Sequence, residues 1–146
     1  MMRRILVATD GSESACRAVD YAAQRAKDDG SELLIVNVIG GYGLPDAVLH
    51  KFSPGQHVWL QELLASQSAL TLTEARERAR KFGVGAIQLE SREGEVASTL
   101  VQLAQERQVV ALVVGKRGTG RAAGLLLGSV SQKLVSLAPL PVIVVP

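Results

Sequence analysis

The sequence predicts an α/β fold in which a parallel sheet is covered by helices on both faces. Short apolar runs alternate with segments of helical periodicity from one end of the chain to the other. Hydrophobic residues make up 47% of the 146 residues, whereas aromatic residues make up only 3%. A core built from Val, Leu, Ile and Ala fits strands that are buried on both faces better than it fits an aromatic β-sandwich.

The five predicted strands are short apolar runs bounded by Gly, Pro, Asp or charged residues. Four of them are nearly continuous in Val, Ile, Leu and Ala, as expected of strands inside a parallel sheet. The third alternates apolar and polar residues, which indicates an edge position. In chain order the predicted strands are residues 4–8, 33–39, 86–90, 109–114 and 142–145.

The four predicted helices follow from apolar residues that recur at spacings of three and four. Ser12 is the expected N-cap of the first helix and Gly30 its C-terminal stop. The second helix follows a long irregular connection, residues 40–57. Its Trp59 either packs over that connection or lies at a partner surface, and we expect packing. The last is expected to bury Val130, Leu134 and Leu137. The predicted helices are residues 13–27, 58–81, 94–107 and 129–137.

Charge, cysteine content and hydropathy exclude several classes of function. The net charge is +2, and the basic residues after Glu106 are too sparse for a nucleic-acid-binding face. Cys16 is the only cysteine, which excludes an internal disulfide and fits a reducing compartment. No apolar run approaches the ~20 residues of a membrane span, and the N-terminal run is too short for a signal peptide. We therefore expect a single cytoplasmic domain, residues 1–146, that binds neither nucleic acid nor membranes.

A glycine-rich stretch, Gly115 to Ser131, follows the fourth predicted strand. It contains five glycines and three cations but no acid. Glycines let backbone N–H groups approach a ligand closely, and the N-terminus of the following helix favours anions. The turn Thr9-Asp10-Gly11-Ser12 also follows a strand, so both segments should open on the same edge of the sheet. The pattern suggests a phosphate-binding loop.

Two common phosphate-binding motifs do not fit this stretch. Residues 115–120 have the glycine spacing of a P-loop, but Arg121-Ala122 replaces the Lys-Ser/Thr that binds phosphate and Mg²⁺. Gly118, Gly120 and Ala123 match a dinucleotide-binding fingerprint, but the acid expected about 20 residues later is absent. We reject both a P-loop NTPase and a dinucleotide-binding domain.

A third pattern remains, in which two residues separate Gly115 from Gly118 and nine separate Gly118 from the Gly128-Ser129 pair. Ser129 and Gln132 have the spacing of a capping box, so Ser129 is expected to cap the last helix. By itself this spacing leaves two readings open, a phosphate site and a merely flexible loop.

Together with the flanking segments, the pattern resembles the universal stress protein family. The residues that carry the resemblance are 5–12, 115–129 (the glycine loop), 130–135 and 138–145, and the resemblance extends over nearly the whole chain. It implies a Rossmann-like, adenine nucleotide alpha hydrolase-like fold. That fold is a three-layer α/β/α sandwich with a five-stranded parallel sheet in the order 3-2-1-4-5. The glycine spacing is that of the family's nucleotide-binding branch, so the resemblance also implies ATP with Mg²⁺ as ligand.

The resemblance further implies which residues contact the nucleotide. Val38 would pack against adenine, and Asp10 would lie near the ribose or the phosphate-bound Mg²⁺. Arg117 and Arg121 either are solvated or close over the phosphates. The residues implied to bind nucleotide are Ala8, Thr9, Asp10, Val38, Val114, Gly115, Gly118, Gly128, Ser129, Val130 and Ser131.

Three functions are compatible with these observations. The first is a nucleotide-dependent regulator or sensor in stress response, favoured because no nucleophile–base pair is evident near the motif. The second is a slow ATPase or autophosphorylating protein, with Ser129 or Ser131 as phosphate acceptor. The third is a dimeric interaction module that needs no nucleotide. The apolar terminal strand, residues 142–145, predicts a homodimer, since an exposed edge of this kind invites pairing and in the family it pairs with its twofold mate.

Overall fold

A computed structural model describes residues 2–40, 46–117 and 127–146 of the chain. Within them, the structure confirms a parallel five-stranded sheet in the order β3-β2-β1-β4-β5, with helices on both faces. The strands are β1 (Arg4–Ala8), β2 (Glu32–Ile39), β3 (Ile87–Glu93), β4 (Ala111–Gly115) and β5 (Val142–Val145). The helices are α1 (Glu13–Asp29), α2 (Asp46–Leu49), α3 (Pro54–Arg80), α4 (Val96–Glu106) and α5 (Ser129–Leu137).

The two faces of the sheet form two separate apolar layers. Alternate side chains of each strand point to opposite faces, so Ile5 and Val7 contact α1 and α3, whereas Leu6 packs with α4 and α5. Alanines dominate the buried face of α1, which lets that helix lie close to β1 and β4. The aliphatic, aromatic-poor composition therefore reflects strands that are covered on both sides.

The ends of the first helix agree with the sequence. The Ser12 hydroxyl accepts a hydrogen bond from the backbone N–H of Ala15, as expected of an N-cap. Gly30 ends the helix in the left-handed region, at φ 69°, where a residue without Cβ is favoured. The third strand also lies at an edge of the sheet, as its alternating pattern predicts.

Three expectations about the start of α3 and about buried helical side chains are wrong. The connection expected to be irregular through residue 57 contains α2, and α3 already begins at Pro54, because Ser53 and Gln56 form a capping box. Trp59 is 62% exposed, since the first turns of α3 extend beyond the part of the helix that packs on the sheet. Leu137 is 60% exposed, at the last turn of α5, whereas Leu134 is fully buried.

Candidate functional site

The carboxyl ends of β1 and β4 lie side by side at the centre of the sheet. The strand order reverses at this point, because β1 pairs with β2 on one side and with β4 on the other. Parallel α/β sheets form their ligand crevices at such a switch point. Thr9 and Asp10 follow β1 here, and Gly115 ends β4. The topology thus brings the two predicted segments to one edge.

The turn after β1 is fixed by its own side chains. The Thr9 hydroxyl accepts a hydrogen bond from the Gly11 N–H at 3.2 Å, and the Asp10 carboxylate accepts one from the Ser12 N–H at 2.9 Å. Gly11 has φ 83°, a conformation that side chains with a Cβ rarely adopt. Thr9 is buried, whereas Asp10 is exposed at the edge of the sheet. The carboxylate is therefore accessible to a ligand at a defined position.

Gly115 is required by the packing of α1 against the end of β4. A Cβ at this position would lie 2.5 Å from the Ser14 hydroxyl oxygen and 2.9 Å from the backbone N of Ala15. The Ser14 hydroxyl donates to the carbonyl of Val145 and accepts a hydrogen bond from the N–H of Arg117. This glycine therefore lets the N-terminus of α1 lie against the start of the glycine loop.

Ser131 ties the start of the loop to the helix that follows it. Ser131 is 2% exposed, and its hydroxyl shares its proton between the carbonyl oxygens of Gly115, at 2.7 Å, and Lys116, at 3.2 Å. The Lys116 carbonyl also accepts the N–H of Gly128 at 2.8 Å. Gly115 and Gly128, which are distant in sequence, are thereby held together at the base of the loop.

The N-terminus of α5 faces this same edge. Gly128 is its N-cap and makes no side-chain cap hydrogen bond, so the expected capping box of Ser129 and Gln132 is wrong. Ser129 is instead the first helical residue, and its side chain is exposed. The first intrahelical hydrogen bond runs from the Gln132 N–H to the Gly128 carbonyl. The N–H groups of the first helical turn precede that bond, as at any helix start, and can serve an anion.

An apolar wall borders the edge on the side of α4 and α5. Ala8, Val38 and Val130 are partly buried and pack against the cluster that contains the fully buried Leu134. Val114 belongs to the same cluster. Beside this wall lies a cleft of 410 Å³, lined by Gly40, Gly94, Glu95, Val96, Ser129, Val130 and Lys133. An apolar group can therefore be held next to the N-terminus of α5.

Glu95 contributes a charge at the rim of this cleft. It is the N-cap of α4, and hydrogen bonds from the hydroxyl and the backbone N–H of Ser98 lower the pKa of its carboxyl to about 2. The Lys133 ammonium lies 3.2 Å from the same carboxylate and acts in the same direction. The pair links the N-terminal end of α4 to α5.

Some predicted site residues fall outside the described part of the chain. Gly118 and Arg121 lie in residues 118–126, so the structure does not test their roles. Arg117 is described, and its backbone N–H is held by Ser14. Within the described ranges, no three His, Cys, Asp or Glu side chains are grouped as a metal site would require. No described helix is both long and apolar enough to cross a membrane.

Several residues that shape the site are not predicted from the sequence, among them Ser14, Asn37 and Glu95. Asn37 is the one polar residue in the apolar run 33–39, and a partly buried amide needs a hydrogen-bond partner, so such an interruption is a usable signal. Ser14 had no comparable signal, because its partners are backbone groups more than 100 residues away in sequence.

Comparison with known proteins gives consistent matches over the full length. The model of the universal stress protein family matches residues 1–146. Universal stress protein YxiE of Bacillus subtilis is 31% identical over 148 residues, which cover 99% of each chain. A crystal structure of a universal stress protein in complex with cAMP has 30% identity and a TM-score of 0.70, and the match covers 99% of this chain and 96% of that one. Universal stress protein UspA from Lactobacillus plantarum shares the fold, with a TM-score of 0.82 at 24% identity over 99% of this chain and 97% of its own.

Proposed function

The chain belongs to the universal stress protein family, and on this premise we propose that it binds an adenine nucleotide and acts as a nucleotide-dependent regulator or sensor in stress response. One observation carries the proposal. The end of β1, the end of β4 and the N-terminus of α5 converge at the switch point of the sheet. The relative of 30% identity whose crystal structure contains cAMP supports an adenine nucleotide as the ligand class.

The phosphates are proposed to bind at the N-terminus of α5. The backbone N–H groups of Ser129 and Val130, together with the glycine loop, supply donors where the helix dipole favours negative charge. The Ser131 hydroxyl already donates to two carbonyl groups, so we assign its contribution to its backbone N–H. Gly118, and Arg117 and Arg121 as side chains over the phosphates, remain part of this proposal.

The nucleoside is proposed to lie along the apolar wall beside the cleft. Ala8, Val38 and Val130 offer aliphatic surface for adenine, and the buried Val114 supports that surface from beneath. Backbone groups of Thr9 and Gly115 border the ribose, and the exposed Asp10 carboxylate can accept hydrogen bonds from ribose hydroxyls. This arrangement places the charged end of the ligand at a helix terminus and its flat end against valines.

ATP with Mg²⁺ is the proposed form of the ligand. The exposed carboxylate of Asp10 fits the oxygen chemistry that Mg²⁺ prefers, and the ion itself would arrive bound to the phosphates and neutralise part of their charge. Asp10 would then act on the ion indirectly, and glycine-loop N–H groups would bind the phosphate oxygens. Binding rather than hydrolysis is proposed, because hydrolysis would need a positioned base for water and the sequence near the motif contains no nucleophile–base pair.

A substitution at the first residue of α5 tests this function sharply. Ser129→Pro removes one backbone N–H at a helix position where proline is tolerated, whereas Ser129→Ala keeps that N–H. Gly128 is extended, with φ −64° and ψ 163°, as the residue before a proline should be. We expect Ser129→Pro to weaken ATP binding about tenfold, since a hydrogen bond to a charged group contributes roughly 1.5–3 kcal/mol. Calorimetry with ATP and Mg²⁺, and separately with cAMP, measures the effect.

Ser129→Ala is the matched control for Ser129→Pro. Ser129→Ala should bind within about threefold of the wild type, because only a hydroxyl is lost. Absence of binding by the wild-type protein to either nucleotide would remove the proposed function. Equal affinity of Ser129→Pro and wild type would remove the N-terminus of α5 from the site.

We also propose that the protein forms a homodimer through β5. This strand lies at an edge of the sheet and its four residues, Val142–Val145, are all aliphatic. The carbonyl groups of Pro141 and Val145 bond to β4, so the backbone groups of Val142 and Val144 point away from the sheet. A row of backbone groups directed away from the sheet is suited to pairing with a second copy.

A further inference from the structure

A chain of polar side chains connects α3 to the end of β1. The side-chain amide of Asn37, on β2, donates to the carbonyl oxygen of Thr9 at 2.8 Å. The Ser68 hydroxyl, on α3, donates to the amide oxygen of Asn37 at 2.6 Å. The Ser68 and Ser91 hydroxyl oxygens are 2.9 Å apart, which adds β3 to the chain. We call Asn37, Ser68 and Ser91 the polar relay.

The hydrogen bonds of the polar relay run in one direction. A serine hydroxyl has one proton, and that of Ser68 is used on Asn37, so Ser91 is the donor in its contact with Ser68. The Asn37 amide has its oxygen towards Ser68 and its nitrogen towards Thr9. In the reverse orientation the amide oxygen would face the carbonyl oxygen of Thr9, and neither acceptor could donate a hydrogen bond. Aligned hydrogen bonds of this kind strengthen one another. The relay therefore points from β3 through α3 to a single backbone oxygen.

At the position of Ser68, packing alone would favour an apolar residue. Ser68 is 3% exposed and continues the buried stripe of α3, in which the next members are Leu72, Ala75 and Ala79. Alanine would satisfy the volume of this stripe without a polar atom to bury. The hydroxyl at Ser68 instead fixes the Asn37 amide, so its role lies at the other end of the relay.

The other end of the relay is the peptide bond that joins Thr9 to Asp10. The Thr9 N–H donates to the carbonyl of Val36 at 2.9 Å, and the Asn37 amide then holds the Thr9 carbonyl. With both sides of Thr9 fixed, the plane of the following peptide is fixed as well, because peptide groups are planar. That plane sets the position of the Asp10 Cα, and the hydrogen bond from the Ser12 N–H to the Asp10 carboxylate then orients the side chain.

We propose that Asn37, Ser68 and Ser91 are positioning residues of the nucleotide site, acting through the Thr9–Asp10 peptide. The inference rests on the proposed function, since it assigns Asp10 to nucleotide binding. It adds that α3, which supplies no residue to the expected site, holds part of that site in place. The relay contacts no ligand itself, so its effect on binding depends on Asp10.

The experiment compares Ser68→Ala with Ser31→Ala. Ser31 is 4% exposed and precedes β2, at the amino ends of the strands. Its hydroxyl oxygen is buried and has no hydrogen-bond partner among the residues that the structure describes. Both changes remove one buried hydroxyl, but only Ser68→Ala breaks the relay. In the protein without nucleotide, we expect Ser68→Ala to speed hydrogen exchange of the Gly11 and Ser12 amides about tenfold, from the loss of roughly 1.4 kcal/mol of local hydrogen bonding. Ser31→Ala should leave those two rates unchanged.

Binding of cAMP and of ATP with Mg²⁺ gives the second measurement. We expect Ser68→Ala to weaken binding about fivefold in the wild-type background and to have no further effect in an Asp10→Ala background. Equal weakening in both backgrounds, or unchanged exchange at Gly11 and Ser12 in a folded Ser68→Ala protein, would overturn the positioning role. If the wild-type protein binds neither nucleotide, the proposed function fails by itself, and the exchange rates alone decide whether the relay holds the turn.

Discussion

At the scale of single residues, the site depends on short distances between backbone segments. Gly115 illustrates this, because its place in a recognisable spacing suggests ligand contact while the structure gives it a packing role. The N-terminus of α1 approaches β4 so closely that no Cβ fits between them. A glycine in a binding motif can thus be required before any ligand arrives.

Gly115→Ala should destabilise the protein by about 1–3 kcal/mol, the range for overpacking at a site that cannot relax easily. The new methyl group would meet the Ser14 hydroxyl oxygen at 2.5 Å and the Ser14 carbonyl carbon at 2.7 Å. Urea denaturation measures the change in the free energy of unfolding.

Gly85→Ala is the matched control for this substitution. Apart from its chain neighbours, no atom of residues 2–40, 46–117 and 127–146 lies within 4 Å of a Cβ built at Gly85, and the φ of Gly85 lies outside the left-handed region. We expect its effect on stability to be within about 0.5 kcal/mol of zero, or slightly stabilising. Similar effects of the two substitutions would contradict the packing role of Gly115.

At the scale of helices and strands, the sequence predicts the order of the elements correctly but the first residues of the helices less accurately. The five strands and four longer helices follow from periodicity, since each buries a face whose spacing is visible in the residues. Helix ends depend on single capping hydrogen bonds. The capping box of Ser53 and Gln56 starts α3 earlier than predicted, and the N-cap of α5 is Gly128, not the predicted Ser129. Trp59 was misplaced because periodicity does not reveal where a helix extends beyond its sheet.

For the candidate site, the location could be predicted from the sequence but the contacts that hold it could not. Asp10 and Gly115 could be assigned to one edge because parallel strands share their direction. The contacts of Ser14, Asn37 and Ser131 could not, because they join segments whose separation in space depends on the packing of α1, α3 and α5. The motifs therefore identify the carboxyl ends of the strands as the site, and tertiary contacts determine how the segments of the site are held in place.

The N-cap of α4 provides a test of helix capping by a carboxylate. Glu95→Ala should destabilise the protein by about 1 kcal/mol at pH 6, the usual loss for an N-cap. Glu95→Ser retains a capping oxygen without the charge, so it should be the milder change. Thermal and urea unfolding of both variants beside the wild type measure the differences.

The pH dependence of that difference has a definite sign. The folded pKa of Glu95, about 2, lies below the unfolded value of roughly 4.3. The charge of Glu95 therefore contributes stability above about pH 4.3, and this contribution is lost as the pH falls through about 2. The advantage of the wild type over Glu95→Ser should shrink between pH 6 and pH 3. An advantage that is constant or grows on acidification would show that the carboxylate is not stabilised as a cap.

At the scale of the whole molecule, the two edges of the sheet differ in chemistry. On β3, Glu90 and Arg92 form an ion-pair group with Arg107 and Glu106. Charged side chains along an edge strand discourage pairing with another sheet. The other edge, β5, is aliphatic throughout. Of the two edges, β5 is therefore the one suited to self-association.

The homodimer proposal is tested by removing one outward backbone donor. Val144→Pro deletes an N–H that points away from β4, and proline is compatible with an edge strand at such a position. Val144→Ala removes a similar part of the side chain but keeps the N–H. Light scattering coupled to size-exclusion chromatography should give a dimer for the wild type and for Val144→Ala, and a monomer for Val144→Pro. A wild-type monomer at every concentration would contradict the homodimer, whereas a dimeric Val144→Pro would place the interface away from β5, because proline cannot donate the hydrogen bond that continuation of the sheet requires.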